Sequence, residues 1–126
     1  MVRMNQVTER VIGCAMRVHS RLGPGLLESA YEACLAHELR QRGVQIIRQL
    51  ALPVVYDGLK VDAGYRIDLL VEDVVVVEVK SIEAVHPVHR AQVLSYLRLS
   101  GRRVGLLLNF NVIRLRDGIE RFINDR

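Results

Sequence analysis

The chain has 126 residues, half of them apolar, which suffices for one domain with a buried core but is short for two ordinary ones. It contains no apolar run of about eighteen residues, and Arg3, Glu9 and Arg10 interrupt the N-terminal stretch where a secretory leader needs an apolar core. We therefore expect one soluble, cytoplasmic domain over residues 1–126, without a membrane segment. The net charge of +4 is compatible with a polyanionic partner and equally with an ordinary surface.

The counts of cysteine and lysine are also informative. Cys14 and Cys34 fall on apolar positions of predicted helices and lack a CxxC arrangement, so they cannot supply four ligands to a zinc or iron–sulfur site. We expect them to be structural core residues. Of the 18 basic residues, only Lys60 and Lys80 are lysine.

Apolar periodicity and turn signals predict the element order α-α-β-β-β-α-β-β, in which the last β stands for a hairpin of two strands. The expected elements are helices over residues 5–22, with Asn5 as N-cap, and 26–42, ending at Gly43; strands over 45–56, 60–71 and 74–80; a helix over 87–100; a strand over 103–109; and a hairpin of 112–116 and 119–123. The turns are expected at Asp57-Gly58, Glu72-Asp73 and Asp117-Gly118. Pro53 indicates that the first strand lies at an edge or bends there. The strand over 74–80 is apolar on both faces and is expected at the centre of the sheet.

Two charges end this valine strand, whose sequence from Val74 is VVVVEVKS. Because strand side chains alternate, Glu78 and Lys80 point to the same face, with Cα atoms roughly 6.6 Å apart. That gap accommodates a water or an ion. The simplest interpretation is a salt bridge at a strand terminus, because an unpaired buried charge would cost several kcal/mol.

Asp68 suggests a second interpretation, which depends on the register of the strand pair. A two-residue loop at Glu72-Asp73 would place Asp68 opposite Val77. A three-residue loop, or one bulge, would place it opposite Glu78, with about 5 Å between the Cβ atoms. We therefore predict an odd-length turn or a bulge, which brings two carboxylates together beside a lysine.

Two carboxylates at that distance repel each other, and a shared proton or a divalent cation must relieve the repulsion. Oxygen ligands without histidine or cysteine favour a hard ion such as Mg²⁺ or Mn²⁺. The Lys80 ammonium can orient an attacking water or stabilise charge on a transferred phosphoryl group, and arginine is too basic to exchange a proton. Phosphodiester hydrolysis fits this set of groups.

Four motifs in order along the chain support this chemistry. They are G25-L-L-E28-S-A-Y31, G64-Y-R-I-D68, E78-V-K80 and Q92-V-L-S-Y96. Together they resemble the GxxExxY protein family of the PD-(D/E)XK nuclease superfamily, including the QxxxY motif of its recombination-type exonuclease domains. The sequence departs from the superfamily's name at Ile67, which stands where proline would precede Asp68. The resemblance implies an α/β, restriction-endonuclease-like three-layer core with a mixed central sheet flanked by helices.

The resemblance also implies roles for individual residues. Asp68 and Glu78 would hold the metal, with the backbone carbonyl of Val79 as a further ligand, and Glu28 would complete the metal site by binding a metal-bound water or a second ion. Lys80 would be the catalytic base partner or transition-state stabiliser. The residues expected near the substrate are Tyr31, which would also position Glu28, His89, and the pair Gln92 and Tyr96, which would contact the nucleic-acid backbone or brace Lys80. Glu28 is favoured over Glu32, which is read as a solvated helix residue. Four arginines form either a basic track or an ordinary solvated surface, namely Arg90, Arg98, Arg102 and Arg103.

The function expected from these residues is a nuclease dependent on Mg²⁺ or Mn²⁺ that hydrolyses phosphodiester bonds, with DNA as the expected substrate. One alternative is a nucleic-acid-binding module that keeps the fold with little or no turnover. The other is a structural or protein-interaction domain in which the charged pair is only a salt bridge. The limited surface of so small a domain is compatible with a homodimer.

Overall fold

The computed structural model describes residues 2–125 and, from residue 3 onward, their side chains. The helices are α1 (Val2–Leu22), α2 (Glu28–Gln41) and α3 (Pro87–Ser100). The strands are β1 (Ile46–Ala51), β2 (Val54–Tyr56), β3 (Leu59–Val61), β4 (Arg66–Val71), β5 (Val75–Lys80), β6 (Val104–Asn109) and β7 (Ile119–Ile123). A 3-10 helix, Leu115–Gly118, precedes β7.

Five strands form one mixed sheet in the order β1-β4-β5-β6-β7. Only the β5–β6 pair is parallel among its neighbouring strands, and α3 provides the crossover between them. β5 is central, as its uninterrupted valines predict, and all of its residues except Lys80 are buried. Strands β2 and β3 pair only with each other, as a small separate hairpin.

The two faces of the sheet carry two separate apolar cores. Alternate side chains of β5, Val75, Val77 and Val79, pack with α1 and α2. Val76 packs on the opposite face with residues of α3 such as Val93 and Leu97. Because Glu78 and Lys80 share the parity of Val76, the strand directs them to the α3 side of the sheet.

The chain departs from the sheet where two long strands were predicted. Residues 45–56 and 60–71 each divide into two strands, because the chain leaves the sheet at Leu52-Pro53 and returns at Arg66. Proline has no N–H to continue the ladder, which explains the break. The hairpin turn at Asp57-Gly58 is confirmed, with φ of 50° and 78°, the left-handed pair that a tight two-residue turn requires.

Two local predictions were wrong. The predicted last hairpin is absent: residues 112–116 form no strand and Asp117-Gly118 no hairpin turn, because residues 115–118 form the 3-10 helix, where Leu115 is buried against the α1 side of the core. Gly118 passes so close to β6 that a Cβ atom there would lie 2.1 Å from the carbonyl oxygen of Asn109. Asn5 does not cap α1, since it lies within that helix and accepts a hydrogen bond from Arg121.

Two other expectations concern cysteines and membrane segments. Cys14 is buried and Cys34 half-buried, and neither forms a disulfide within the described residues. None of the helices in residues 2–125 combines the length and hydropathy needed to span a bilayer.

Candidate active site

The turn between β4 and β5 sets the register on which the site depends. It has three residues, Glu72 to Val74, and both Glu72 and Asp73 adopt left-handed backbone conformations. Leu70 pairs with Val76 and Leu69 with Val77, so the next position places Asp68 opposite Glu78. The predicted odd-length turn is therefore confirmed.

At the Asp68–Glu78 position, side chains replace the backbone ladder. The backbone N–H of Asp68 donates to the Glu78 carboxylate at 3.0 Å. The backbone N–H of Val79 donates in turn to Asp68 Oδ2 at 2.9 Å. Each carboxylate thus occupies a place that a backbone carbonyl would take in a regular pair, and the two acidic side chains converge between the strands.

Glu78 carries an ionisable carboxyl group, yet the residue is only 3% exposed. Burial, and then the negative charge of Asp68, raises its pKa from the ordinary 4.5 to about 8, against the opposing effects of the Asp68 N–H bond and Lys80. A buried carboxylate beside a second one is the arrangement that a shared proton or a cation stabilises.

Lys80 is connected to α3 rather than to a carboxylate. Its Nζ donates to Gln92 Oε1 at 3.2 Å, and both side chains are half-buried. Tyr96 lies one turn further along α3 and is 6% exposed. Burial raises the pKa of Tyr96, and so do the charges of Glu78 and Asp68, so this hydroxyl remains a proton donor near the carboxylates. The QxxxY residues thus line the site, and Gln92 braces the lysine.

The backbone of β5 determines which carbonyl faces the carboxylates. Lys80 accepts the N–H of Phe110 at 2.9 Å, so its carbonyl points towards the β6 side. The N–H and C=O of one strand residue point to the same edge, and Val79 donates to Asp68. The carbonyl of Val79 is therefore directed to the Asp68 side.

Glu28 lies at the start of α2, where it is exposed and contacts the chain just beyond β5. Its carboxylate accepts the N–H of Ser81 at 3.3 Å, while Ser81 Oγ donates to the carbonyl of Leu26 at 2.6 Å. No group of three His, Cys, Asp or Glu suited to a metal occurs in residues 2–125, so Glu28 does not form one cluster with Asp68 and Glu78.

Tyr31 lies in the core. It is fully buried and stacks on Phe110 with ring centroids 4.5 Å apart. Its hydroxyl donates to the carbonyl of Gly23 at 2.6 Å and accepts from the N–H of Leu26 at 3.1 Å. These bonds fix the loop before Glu28, so Tyr31 connects the core to that carboxylate without reaching the surface of the site.

The structure brings a different glutamate of α2 towards Asp68. Glu32 is 6% exposed, its Oε2 accepts from Arg48, and its Oε1 accepts from Gln49 Nε2 at 2.7 Å. The same Gln49 nitrogen reaches Asp68 Oδ1 at 3.2 Å. Sequence reasoning gave preference to Glu28, although the four-residue spacing of the two glutamates places both on one helix face.

Asn109 is a second polar residue that the motifs did not identify. It is 3% exposed at the end of β6, opposite Lys80 in the register. Its amide bonds both the N–H and the carbonyl of Ile82, at 3.1 and 3.0 Å. A polar residue at the end of a buried strand was the available signal. Asn109 fixes the loop that leaves the site.

His89 and the four arginines lie further along the chain. His89 Nδ1 accepts the N–H of His86 at 2.9 Å, which caps the start of α3. Three of the arginines form ion pairs, Arg90 with Glu120, Arg102 with Asp73 and Arg103 with Asp125. Each of these three arginines therefore has a carboxylate partner, whereas Arg98 donates to Ser95.

The donor set at the carboxylates fits a hard divalent cation. The chain offers two carboxylates and one inward carbonyl, all oxygen ligands, without sulfur or imidazole. Mg²⁺ typically binds one or two carboxylates and completes its octahedron with water and substrate phosphate, so two carboxylates suffice. The buried Glu78 is also a group whose charge an ion would offset.

Comparison with known proteins identifies one family. A family model of the PD-(D/E)XK nuclease superfamily matches residues 5–122, a range that includes all the site residues described above. No curated protein and no solved structure matches the chain significantly. Three helices and a five-stranded mixed sheet agree with the restriction-endonuclease-like core of that superfamily.

Proposed function

Because the chain belongs to the PD-(D/E)XK nuclease superfamily, we propose that it is a divalent-metal-dependent nuclease that hydrolyses phosphodiester bonds in DNA. One observation carries the proposal. Asp68 and Glu78 converge where β4 and β5 cease to pair, and Lys80 follows on the same face. Over residues 1–126 we propose one nuclease-like domain, of the GxxExxY branch because of its motif at Gly25–Tyr31.

Asp68, Glu78 and the carbonyl of Val79 would hold Mg²⁺ or Mn²⁺. When bound, the ion would offset charge on the scissile phosphate and make water a better nucleophile. The two carboxylates are already fixed by backbone N–H donors, so they need little reorganisation to bind a cation. Such preorganisation is a general source of electrostatic catalysis.

Lys80 would act on the reacting phosphate and on the attacking water. Its ammonium can donate to a phosphate oxygen as negative charge develops, a contribution that is worth more in a half-buried site than in water. Gln92 holds Nζ in place through its side-chain oxygen, and Tyr96 stays a proton donor beside it. These two residues therefore act as braces and as donors to the substrate backbone.

The remaining assigned residues would support the substrate side. Glu28, held near Ser81, would bind a water or a second ion from the loop beyond β5. Tyr31 would act by fixing the loop before Glu28. His89, at the start of α3, would contact phosphate with the ring nitrogen that does not cap the helix.

Two copies would bind one substrate as a homodimer, and light scattering across a concentration series tests that point.

The test of function is a cleavage assay on end-labelled single-stranded, duplex and branched DNA and on RNA, with Mg²⁺ or Mn²⁺ titrated against EDTA. Wild type should cut DNA only with metal, and Lys80→Ala and Glu78→Ala should remove cleavage while keeping the far-UV circular dichroism spectrum. Lys60→Ala is the matched control, because Lys60 is the only other lysine and lies exposed on β3.

Three outcomes would contradict the proposal. The first is an absence of cleavage on every substrate at every metal concentration. The second is full activity of Lys80→Ala, which would reduce the charged pair to a structural bridge. The third is salt-sensitive binding to DNA without turnover, which would favour the nucleic-acid-binding module instead.

A further inference from the structure

Gln49 has an unusual backbone conformation in the middle of β1. Its φ is 52°, in the left-handed region, which residues other than glycine, asparagine and aspartate rarely adopt. Such a conformation costs on the order of 1–2 kcal/mol, so surrounding contacts must stabilise it. A regular edge strand does not require a positive φ, so contacts specific to Gln49 must hold this conformation.

Two strands change face at this position. Ile46 packs with the α1 and α2 core, whereas Leu50 packs with the α3 core, although alternation would place both on one side. In β4, Leu69 packs with the first core and Ile67 with the second. The pairs Arg48–Leu69 and Leu50–Ile67 flank this point. Gln49 and Asp68 therefore lie opposite each other at the position where both strands change the face to which their side chains point.

The side chain of Gln49 links α2 to the Asp68 carboxylate. Its Nε2 donates to Glu32 Oε1 at 2.7 Å and to Asp68 Oδ1 at 3.2 Å. Carboxylates accept hydrogen bonds, so the nitrogen rather than the oxygen of the amide must face them. Glu32 is itself fixed by Arg48, whose Nη2 lies 3.0 Å from its Oε2. A buried residue of α2 thereby anchors the donor that reaches Asp68.

We propose that Gln49, anchored by Glu32, is a positioning residue that sets the orientation of the Asp68 carboxylate. Val79 N–H binds one oxygen of Asp68 and Gln49 binds the other. With both oxygens held, the carboxylate cannot rotate about its bond to Cβ, and each oxygen keeps a lone pair for a cation. This role rests on the proposed function only in that Asp68 is taken to bind metal.

Removing the Gln49 amide should lower the affinity for the metal and leave the cleavage step itself unchanged. Partners that orient metal-binding side chains typically change affinity by about 10–100-fold when removed. We expect Gln49→Leu, which removes the amide, to weaken Mn²⁺ binding about tenfold, measured by electron paramagnetic resonance of free Mn²⁺ without nucleic acid. Cleavage by this variant should recover at saturating Mn²⁺.

Gln49→Gly keeps the experiment informative if Gln49→Leu folds poorly. Glycine adopts positive φ without strain, so this variant should keep the fold and still lose affinity about tenfold. Glu32→Gln retains an acceptor for Gln49 and should bind Mn²⁺ more tightly than Glu32→Leu. Ile47→Ala is the matched control, because Ile47 is an exposed apolar side chain on the same strand that cannot bond Glu32 or Asp68, and it should leave Mn²⁺ affinity within about twofold.

A metal-free measurement separates this inference from the proposed function. In EDTA, Gln49→Leu should shift the amide resonance of Val79 and speed its hydrogen exchange, with Val77 in the intact ladder as the reference. If wild type binds Mn²⁺ and does not cut DNA, the proposed function fails and the positioning role is still decided by affinity and exchange. Unchanged affinity and an unchanged Val79 amide in both Gln49 variants would overturn the role, as would an equal affinity loss in Ile47→Ala.

Discussion

The two ends of the β4–β5 pair differ in their side chains and in the groups that accept the backbone N–H bonds. At the turn, Val71 pairs with Val75 in a regular ladder of buried side chains. At the other end, Asp68 and Glu78 occupy the equivalent opposed positions, and their carboxylates accept N–H groups that carbonyls would otherwise bind. The first arrangement favours stability, whereas the second places an acidic pair in a sheet, with Glu78 buried and Asp68 half-buried.

The comparison teaches that the site is part of the sheet rather than an addition to it. A three-residue turn fixes the register at one end, and that register brings the carboxylates together at the other. Changes at the site end should therefore affect function and leave or raise stability. Substitutions at the turn end that keep the length of the turn, and so the register, should affect stability alone.

The largest expected effect is that of Glu78→Gln. This near-isosteric change removes a proposed metal ligand and should slow single-turnover cleavage of labelled DNA about 10³-fold. The same variant should unfold in EDTA at pH 8 at a higher denaturant concentration than wild type, because it removes a buried charge beside Asp68. A Glu78→Gln protein that is less stable than wild type at that pH would break the distinction between the two ends.

The pH dependence of the free energy of unfolding should report the ionisation of Glu78. The pKa of Glu78 rises from 4.5 to about 8 on folding, so between these values the unfolded chain has lost a proton that the native protein keeps. The metal-free protein should accordingly lose stability as pH rises from about 4.5 to about 8, by on the order of 4 kcal/mol from this group. Urea unfolding in EDTA measures it, and subtracting the curve of Glu78→Gln isolates Glu78. A difference that does not depend on pH would contradict the effect.

Much of this arrangement is readable in the sequence, because it depends on local patterns. Consecutive valines predicted the central strand, and alternation placed Glu78 and Lys80 on one face. The parity of the turn was the decisive unknown, and the need to bring Asp68 opposite Glu78 predicted it correctly. Pro87 and Gly101 gave both ends of α3.

The remainder depended on contacts between residues distant in sequence. The left-handed conformation of Gln49 follows from the bonds to Glu32 and Asp68, which no local pattern encodes. The strand predicted over 112–116 failed for a similar reason, since Leu115 gains burial in the core as part of a 3-10 helix. Tertiary packing overrode the alternation of apolar residues there.

Val75→Ala tests the turn end of the strand pair. Val75 is fully buried, and removing two methyl groups should destabilise the protein by about 2 kcal/mol through lost burial and a small cavity. Cleavage under native conditions should remain within about twofold of wild type. Val55→Ala, at a side chain that is 62% exposed on β2, is the matched control and should shift stability by less than about 0.5 kcal/mol. A large loss of cleavage in Val75→Ala would show that the two ends are coupled.

The smallest expected effect concerns the ion pair that covers the turn. Arg102 Nη2 lies 2.6 Å from Asp73 Oδ1, but the Asp73 side chain is 81% exposed, so solvent screens the attraction. Asp73→Asn keeps a residue that tolerates the left-handed φ of 60° and removes only the charge. We expect the free energy of unfolding to fall by less than about 1 kcal/mol, and by less still in high salt, with cleavage unchanged.

Arg102 also donates to the backbone carbonyl of Asp73, and that bond survives the Asp73→Asn substitution. Arg102→Ala should therefore cost more stability than Asp73→Asn. Equal costs in chemical denaturation would mean that the charge, and not the backbone bond, holds Arg102 against the turn.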